Sequence, residues 1–207
     1  MERILLTDPE TTARIFRIVG VGGVAIVPTD TVYGLIADAT NEKAIEKIFV
    51  IKKRDIRKPL GIFVRDRDML KEYILADENL LDKLFSIWPG ALTAIFTPKK
   101  RLPYQDTNTI GVRIPASSFL DSLMKRLDGP LTQTSANISG HGSFTRVRDV
   151  EKDLAGTGDI DVFVDGGDLP DSMVSSAVDF TVHQPKLIRE GGVSRRKLEQ
   201  IFGPLQW

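Results

Sequence analysis

Three short polar segments carry the residue types from which a site for a polyanion and a small polar molecule could be built. They are Pro28-Thr29-Asp30-Thr31-Val32-Tyr33-Gly34-Leu35, Lys52-Lys53-Arg54-Asp55-Ile56-Arg57-Lys58-Pro59-Leu60 and Ser135-Ala136-Asn137-Ile138-Ser139-Gly140. Between Lys52 and Lys58 the second holds five cations and one acid. An arginine grips phosphate or carboxylate oxygens as a planar fork, and a lysine adds a mobile point charge. Pro59 restricts the direction in which the chain leaves, so Lys52, Arg54 and Lys58 could be aimed at one point. A plainer explanation stands beside this one: cations are favoured at a helix C-terminus by the helix dipole. The other two segments supply hydroxyls and an amide able to bond phosphate, carboxylate or base without adding charge. They too have a plain explanation, as turns that Ser, Asn, Asp and Gly favour for backbone reasons. Asp30 could assist a divalent metal, but a single carboxylate is a weak basis for a metal site.

The elements that would position these segments follow from the apolar pattern. Thr7-Asp8-Pro9-Glu10 has capping-box spacing and predicts a helix from there to about Val19, with Met1 to Ile4 leading into it. Val24 to Val27 reads as a buried strand. Asn41 caps a helix whose Ala44, Ile45, Ile48 and Phe49 form one apolar stripe. Further strands are expected at Leu60–Val64, Ala91–Phe96, Thr109–Ile114, Leu131–Ser135, Ile160–Val164, Ser175–Phe180 and Lys186–Glu190. Helices are expected around Leu80–Trp88, Phe119–Leu127, Val147–Leu154 and Arg195–Phe202. Alternating strands and helices predict an α/β fold: one twisted, layered domain over 1–207, with a mixed, partly parallel sheet and helices on both faces. Each polar segment then sits where a strand or helix gives way to a loop, the usual place for ligands in an open α/β sheet.

Composition narrows the chemistry. The 207 residues suffice for one fairly large domain with its own core. Twenty-eight basic and 28 acidic side chains cancel, so no global field draws the chain to nucleic acid or membrane. There is no cysteine, which excludes disulfides, thiolate catalysis and cysteine-bound metal, and fits a reducing cytosol. No apolar run is long enough to span a bilayer. Gly20-Val21-Gly22-Gly23-Val24-Ala25 imitates a dinucleotide fingerprint but lies between a helix and a strand in the wrong order. Neither a P-loop nor a metal-ligand spacing for His141 and His183 is found, and no serine sits in a nucleophile elbow.

The three segments, in this order, resemble the YrdC-like family of threonylcarbamoyl-adenylate synthases, from about Gly22 to Gly191. Lys52 with Arg54, and Ser135 with Asn137, are the most specific points of likeness. Trp88-Pro89-Gly90-Ala91-Leu92-Thr93, Thr109-Ile110-Gly111-Val112-Arg113-Ile114-Pro115, Ser175-Ser176-Ala177-Val178-Asp179 and Leu187-Ile188-Arg189-Glu190-Gly191 add to it. The resemblance implies a cytoplasmic nucleotidyltransferase that joins L-threonine, bicarbonate or CO2, and ATP with Mg2+. The products would be threonylcarbamoyl-AMP and pyrophosphate. A separate transferase complex would then pass the threonylcarbamoyl group to tRNA. It also implies a twisted α/β domain with a concave, positively charged face.

Carried over residue by residue, the resemblance makes Lys52 and Arg54 the catalytic cations on the nucleotide phosphates. Lys58, Thr109, Ser135, Asn137, Thr145 and Arg189 become further nucleotide contacts, and Thr31, Arg113 and Ser175 the threonine pocket. Arg113 would pair with the substrate carboxylate, for which its guanidinium has the right shape. The chain departs from the family pattern at Asp55 and Lys58, where many relatives carry Pro and Asn. It departs again at Phe63, where some long relatives have a substrate-contacting His, and at Ser175-Ser176 in place of Ser-Thr. Phe63 could instead give the threonine methyl group an apolar contact. Ending at Trp207, the chain resembles the short form without an additional C-terminal domain. Two other readings stay open: an RNA-binding module with a basic concave face, and a carbamoyl-adenylate-forming domain of metallocluster maturation.

Overall fold

The apolar runs of the sequence become the strands of one long twisted sheet, and the amphipathic stripes become helices laid against it. The structure, a computed structural model, describes residues 1–105, 107–171 and 173–207. The first half contains β1 (Glu2–Leu5), α1 (Thr11–Gly20), β2 (Ala25–Val27), β3 (Gly34–Ile36), α2 (Glu42–Lys52), β4 (Gly61–Phe63), α3 (Arg67–Tyr73), β5 (Ile74–Leu75) and α4 (Glu78–Phe85). The second contains β6 (Leu92–Pro98), β7 (Ile110–Arg113), α5 (Ser118–Leu127), β8 (Leu131–Ser135), α6 (Val147–Asp153), β9 (Val162–Asp165), β10 (Ser176–Asp179), β11 (Lys186–Arg189) and α7 (Arg195–Phe202).

Strand order across the sheet is β1-β9-β2-β3-β8-β4-β7-β6-β10-β11, with β5 paired to β6 off this path. Four pairs are parallel (β1 with β9, β9 with β2, β4 with β7, β6 with β10) and the others antiparallel, so the sheet is mixed, as expected. Alternation along each central strand sends successive side chains to opposite layers. Ile26 of β2 and Phe163 of β9 pack with Ala44, Ile48 and Ile51 of α2 and Val147 and Val150 of α6. Their neighbours Ala25, Val27, Val162 and Val164 pack on the other face with Ile15 and Val19 of α1 and Leu120, Leu123 and Met124 of α5. At the far half of the sheet, Ile62, Val112, Ala94, Phe96 and Val178 share a core with α3, α4 and α7. The residues between them in the alternation, Thr93, Gly111 and Arg113, fall on the opposite face, where the cleft lies.

Several local expectations are corrected. The N-terminus is a strand, not a run into a helix: Glu2 to Leu5 pairs in parallel with Val162 to Asp165. Only Ile4 of that strand is buried, too little alternation to read in four residues. The helix expected from Thr7 starts at Thr11, because the intervening turn is held elsewhere. Leu6 N–H donates to Asp165 O at 2.8 Å, and Asp8 Oδ1 accepts from Glu10 N–H at 2.8 Å. The segment read as loop to Leu35 already contains the start of β3, paired antiparallel with β2. The short α3 was not foreseen; Asp66 caps it, accepting from Met69 N–H at 2.9 Å. The Asn41 cap forms as read, accepting from Ala44 N–H at 3.2 Å.

One glycine past β11 has no room for a side chain. A Cβ at Gly191 would lie 2.1 Å from Val174 O and 2.8 Å from the Ser175 carbonyl carbon. Both are backbone atoms, so the strand end would have to move. Gly191→Ala is expected to cost ~2–3 kcal/mol of stability, at the upper end for overpacking. Chemical denaturation would measure it, and an unchanged midpoint would show that this turn yields more easily than its contacts imply.

Candidate active site

The polar segments meet at one cleft of about 220 Å³ at the strand ends. Thr29 and Thr31 enter it from the β2–β3 connection, Gln133 to Ser135 from β8, and Arg54 from beyond α2. Phe63, Arg113 and Arg189 come from β4, β7 and β11, with Ser175 beside β10 and Ser143 from the loop before α6. Burial pushes the pKa of all three guanidiniums down, and for Arg113 the nearby Arg189 lowers it further while Asp30 opposes. A desolvated cluster of cations is stabilised by any anion that enters it.

Arg113 is held on several sides. Its Nε donates to Gly90 O at 2.9 Å and Nη1 to Thr31 Oγ1 at 3.0 Å. Its guanidinium carbon sits 5.9 Å from the centre of the Phe63 ring. Nη2 lies 2.7 Å from Asp30 Oδ1, with 3% and 13% of the two side chains exposed. The two atoms are buried together, each the charged partner of the other. Thr29 shapes the loop around them, donating to Val32 O at 2.7 Å and accepting from Thr31 N–H at 3.1 Å.

Lys52 and Arg54 part company. Lys53, which caps α2 at the C-terminal end, adopts a left-handed conformation at φ 48°, and the chain reverses there. Lys52, the last residue of α2, therefore points inward and is 2% exposed. Its Nζ donates to Ser135 O at 2.5 Å, Asn137 O at 2.7 Å and Asn137 Oδ1 at 3.0 Å. Burial pushes its ammonium down to about 7, with Arg54 adding to the shift and Asp153 opposing it. The acceptors oppose it too, since only the ammonium form has a proton for each of them. Lys52 thus ties α2 to the Ser135–Asn137 segment and does not line the cleft. Arg54 does, and it is braced by the chain ahead: Nε donates to Lys58 O at 2.8 Å and Nη2 to Pro59 O at 3.0 Å.

The other residues singled out in the sequence divide similarly. Ser135 lines the cleft and donates to Asn137 Oδ1 at 2.5 Å. Asn137 is buried and donates from Nδ2 to Ile138 O at 3.0 Å and His141 O at 2.7 Å. Asp153 of α6 closes the same loop, accepting from Ile138 N–H at 2.7 Å and pairing with His141 Nδ1 at 2.5 Å. Lys58 offers Arg54 its carbonyl, while its own side chain is exposed. Thr109 precedes β7, at the end of that strand away from Arg113, and its carbonyl accepts from Gln105 Nε2 at 3.1 Å. Thr145 is half-buried, and its carbonyl accepts from Leu169 N–H at 2.9 Å. Neither threonine is part of the cleft lining, which Ser143 reaches instead.

A hydrogen-bonded chain joins the sides of the cleft. Arg189 donates from Nε to Ser175 O at 3.0 Å and from Nη2 to Ser175 Oγ at 3.3 Å. Ser175 Oγ and Thr93 Oγ1 share a hydrogen bond of 2.9 Å, and Gln133 Nε2 donates to Thr93 Oγ1 at 2.7 Å. Gln133 Oε1 is buried and unsatisfied. Sequence reasoning passed over Gln133, Thr93 and Ser143. The signal for Gln133 was available, since it lies two residues before Ser135 on a strand and so shares its face.

Among the described residues no group of three or more His, Asp or Glu side chains is placed to hold a metal ion. Asp30, the carboxylate singled out for a metal, is engaged with Arg113. Nor is any helix, among those residues, long and apolar enough to cross a membrane.

The fold and cleft together define a mixed α/β domain with an arginine-rich, hydroxyl-lined site at its strand ends. The Sua5/YciO/YrdC family model, described as "Telomere recombination", matches residues 17–191, and the chain belongs to that family. It is 33% identical over 191 residues to a threonylcarbamoyl-AMP synthase of Pyrococcus abyssi, covering 89% of this chain and 55% of that protein. With a putative threonylcarbamoyl-AMP synthase of Methanocaldococcus jannaschii it shares 36% over 181 residues, 86% of this chain and 84% of the relative. The crystal structure of P. abyssi Sua5 complexed with L-threonine superposes with a TM-score of 0.90 at 28% identity, covering 99% of this chain and 61% of that one. The chain thus spans little more than half the length of the P. abyssi relative.

Proposed function

We propose that the chain is an L-threonylcarbamoyladenylate synthase, a nucleotidyltransferase acting in the cytoplasm. It joins L-threonine, bicarbonate or CO2, and ATP, and releases pyrophosphate. The observation that carries this reading is a single cleft lined by Arg54, Arg113 and Arg189 with the hydroxyls of Thr31, Ser135, Ser143 and Ser175. We assign Arg113, Thr31 and Ser175 to threonine, and Arg54, Arg189, Ser135 and Ser143 to the nucleotide. Family membership and the activities for which the relatives are named support the same reading.

In this scheme Arg113 takes the threonine carboxylate, with the Thr31 and Ser175 hydroxyls beside it and Phe63 against the methyl group. Arg54 and Arg189 neutralise the phosphates, to which Ser135 and Ser143 add hydroxyl donors. Threonine's amino group, after giving up its ammonium proton to solvent, attacks CO2 and loses a second proton to leave a carbamate, whose oxygen attacks the α-phosphorus and expels pyrophosphate. The side chains hold the reactants in line and offset developing charge, without a protein nucleophile. Lys58 and Asn137 serve the site indirectly, through Arg54 and through Lys52 and Ser135. Thr109 and Thr145 would touch parts of the nucleotide that extend beyond the cavity. Mg2+ enters only as the counter-ion of ATP. The product is a mixed anhydride, to be consumed by a transferase complex that modifies tRNA.

The test is pyrophosphate release from ATP, bicarbonate and Mg2+, with and without L-threonine. Release that depends on threonine is the expected result. Release that needs carbamoyl phosphate instead would point to a maturation domain, and silence together with salt-sensitive RNA binding would point to an RNA module.

A further inference from the structure

We propose that Asp153, the last residue of α6, is a positioning residue of the nucleotide site: it fixes the turn from Asn137 to His141 and so sets where Ser143 enters the cleft. This inference rests on the assignment of Ser135 and Ser143 to the nucleotide above. Asp153 is not part of the cleft lining, so it acts through the chain it holds. Its side chain is 11% exposed and takes two partners from the turn. Oδ2 accepts from Ile138 N–H at 2.7 Å, and Oδ1 pairs with His141 Nδ1 at 2.5 Å. A carboxylate only accepts, so Nδ1 carries the imidazole proton. Between those two points the turn closes on itself. His141 N–H donates to Ile138 O at 3.0 Å, and Asn137 Nδ2 donates to the His141 carbonyl at 2.7 Å.

What the turn delivers is Ser143. Among the described residues Gly142 and Ser143 make no hydrogen bond of their own, yet Ser143 lines the cleft. Their place is set by a fixed point on either side: His141, held by Asp153, and Phe144, whose carbonyl accepts from Tyr33 N–H at 3.0 Å. Both residues are exposed, and glycine has the widest backbone freedom, so releasing the His141 end would free Ser143 to leave the cleft. Lys52 clamps the same loop from α2, through Ser135 O and Asn137 O. Asp153 supports the charge of Lys52 as well, so the two clamps reinforce each other. A carboxylate in the last turn of a helix is disfavoured by the helix dipole; the donors Asp153 gathers from the loop offset that cost. A hydroxyl already held where a phosphate arrives need not be ordered on binding.

The experiment compares steady-state kinetics of the wild type with Asp153→Ala, Asp153→Asn, Ser143→Ala and the double variant Asp153→Ala/Ser143→Ala, their folding checked by denaturation. Asp153→Ala should raise the KM for ATP by roughly 10-fold, the cost of re-ordering a short piece of loop on binding. The KM for L-threonine should move far less. Asp153→Asn keeps an acceptor for Ile138 N–H and should recover part of the loss. With Ser143→Ala already in place, Asp153→Ala should cost ATP clearly less, because the hydroxyl it places is gone. An unchanged KM for ATP in a folded Asp153→Ala would overturn the proposal and leave the nucleotide site standing. Equal increases for ATP and threonine, or the same increase with and without the Ser143 hydroxyl, would overturn it too. If Asp153→Ala does not fold, His141→Ala decides, since that side chain is 53% exposed. It should raise the KM for ATP alone, and no change would sink the proposal. A wild type that turns over no ATP would overturn the nucleotide reading, and this assignment with it.

Discussion

Replacing Arg113 by alanine is expected to raise the KM for L-threonine by roughly 100-fold or more, the effect of removing one partner of a buried charged contact. The KM for ATP should move far less, since Arg54 and Arg189 remain. The same substitution leaves Asp30 buried without its cation, so stability should fall by ~3 kcal/mol. For a chain of this length that corresponds to a drop in Tm of about 6–12 °C. Arg113→Lys separates the two effects: it keeps the charge beside Asp30 but not the planar fork or the bond from Nε to Gly90. Stability should largely return in the lysine variant while threonine binding stays weak. A wild-type threonine KM in a folded Arg113→Ala would remove Arg113 from the substrate site.

Lys52→Met should act in the opposite order, on the scaffold first. It strips a buried cation from Ser135 O, Asn137 O and Asn137 Oδ1; Ser135 O keeps the Asn137 N–H and Oδ1 keeps the Ser135 hydroxyl, while Asn137 O loses its donor. For one buried acceptor left unsatisfied a loss of ~1–3 kcal/mol is expected. Because Ser135 lines the cleft and bonds to Asn137, its displacement should lower turnover and weaken ATP more than threonine. Denaturation and paired KM measurements would show this. Unaltered stability with lost turnover would instead mean that Lys52 reaches the phosphates itself.

The difference between these two cations shows how far the sequence could be read. Lys52 and Arg54 are two residues apart in one basic run, and their types suit phosphate equally well. What separates them is the left-handed conformation of Lys53, a backbone event that no side-chain pattern announces. Arg113, Thr31 and Ser175 lie far apart in sequence, and only the sheet order β3-β8-β4-β7-β6-β10 brings their elements together. The resemblance to a family supplied that grouping; the residues alone did not. The central strands and the stripes of α2, α5 and α7 were legible because period-two and helical patterns run through enough residues. β1, β3 and β5 were not, being two to four residues long, and α3 hides its cap behind a charged run. Asp30 was visible as a lone carboxylate, but its meaning came from the guanidinium opposite.

The central proposal, a single cleft that joins threonine to a nucleotide through a carbamoyl bridge, is tested most directly by the product. The protein would be incubated with ATP, Mg2+, L-threonine and 13C-labelled bicarbonate, and the nucleotides examined by mass spectrometry. The expected result is threonylcarbamoyl-AMP carrying one 13C, formed in step with pyrophosphate. Pyrophosphate released without that labelled adenylate, or no nucleotide product in the presence of all substrates, would contradict it.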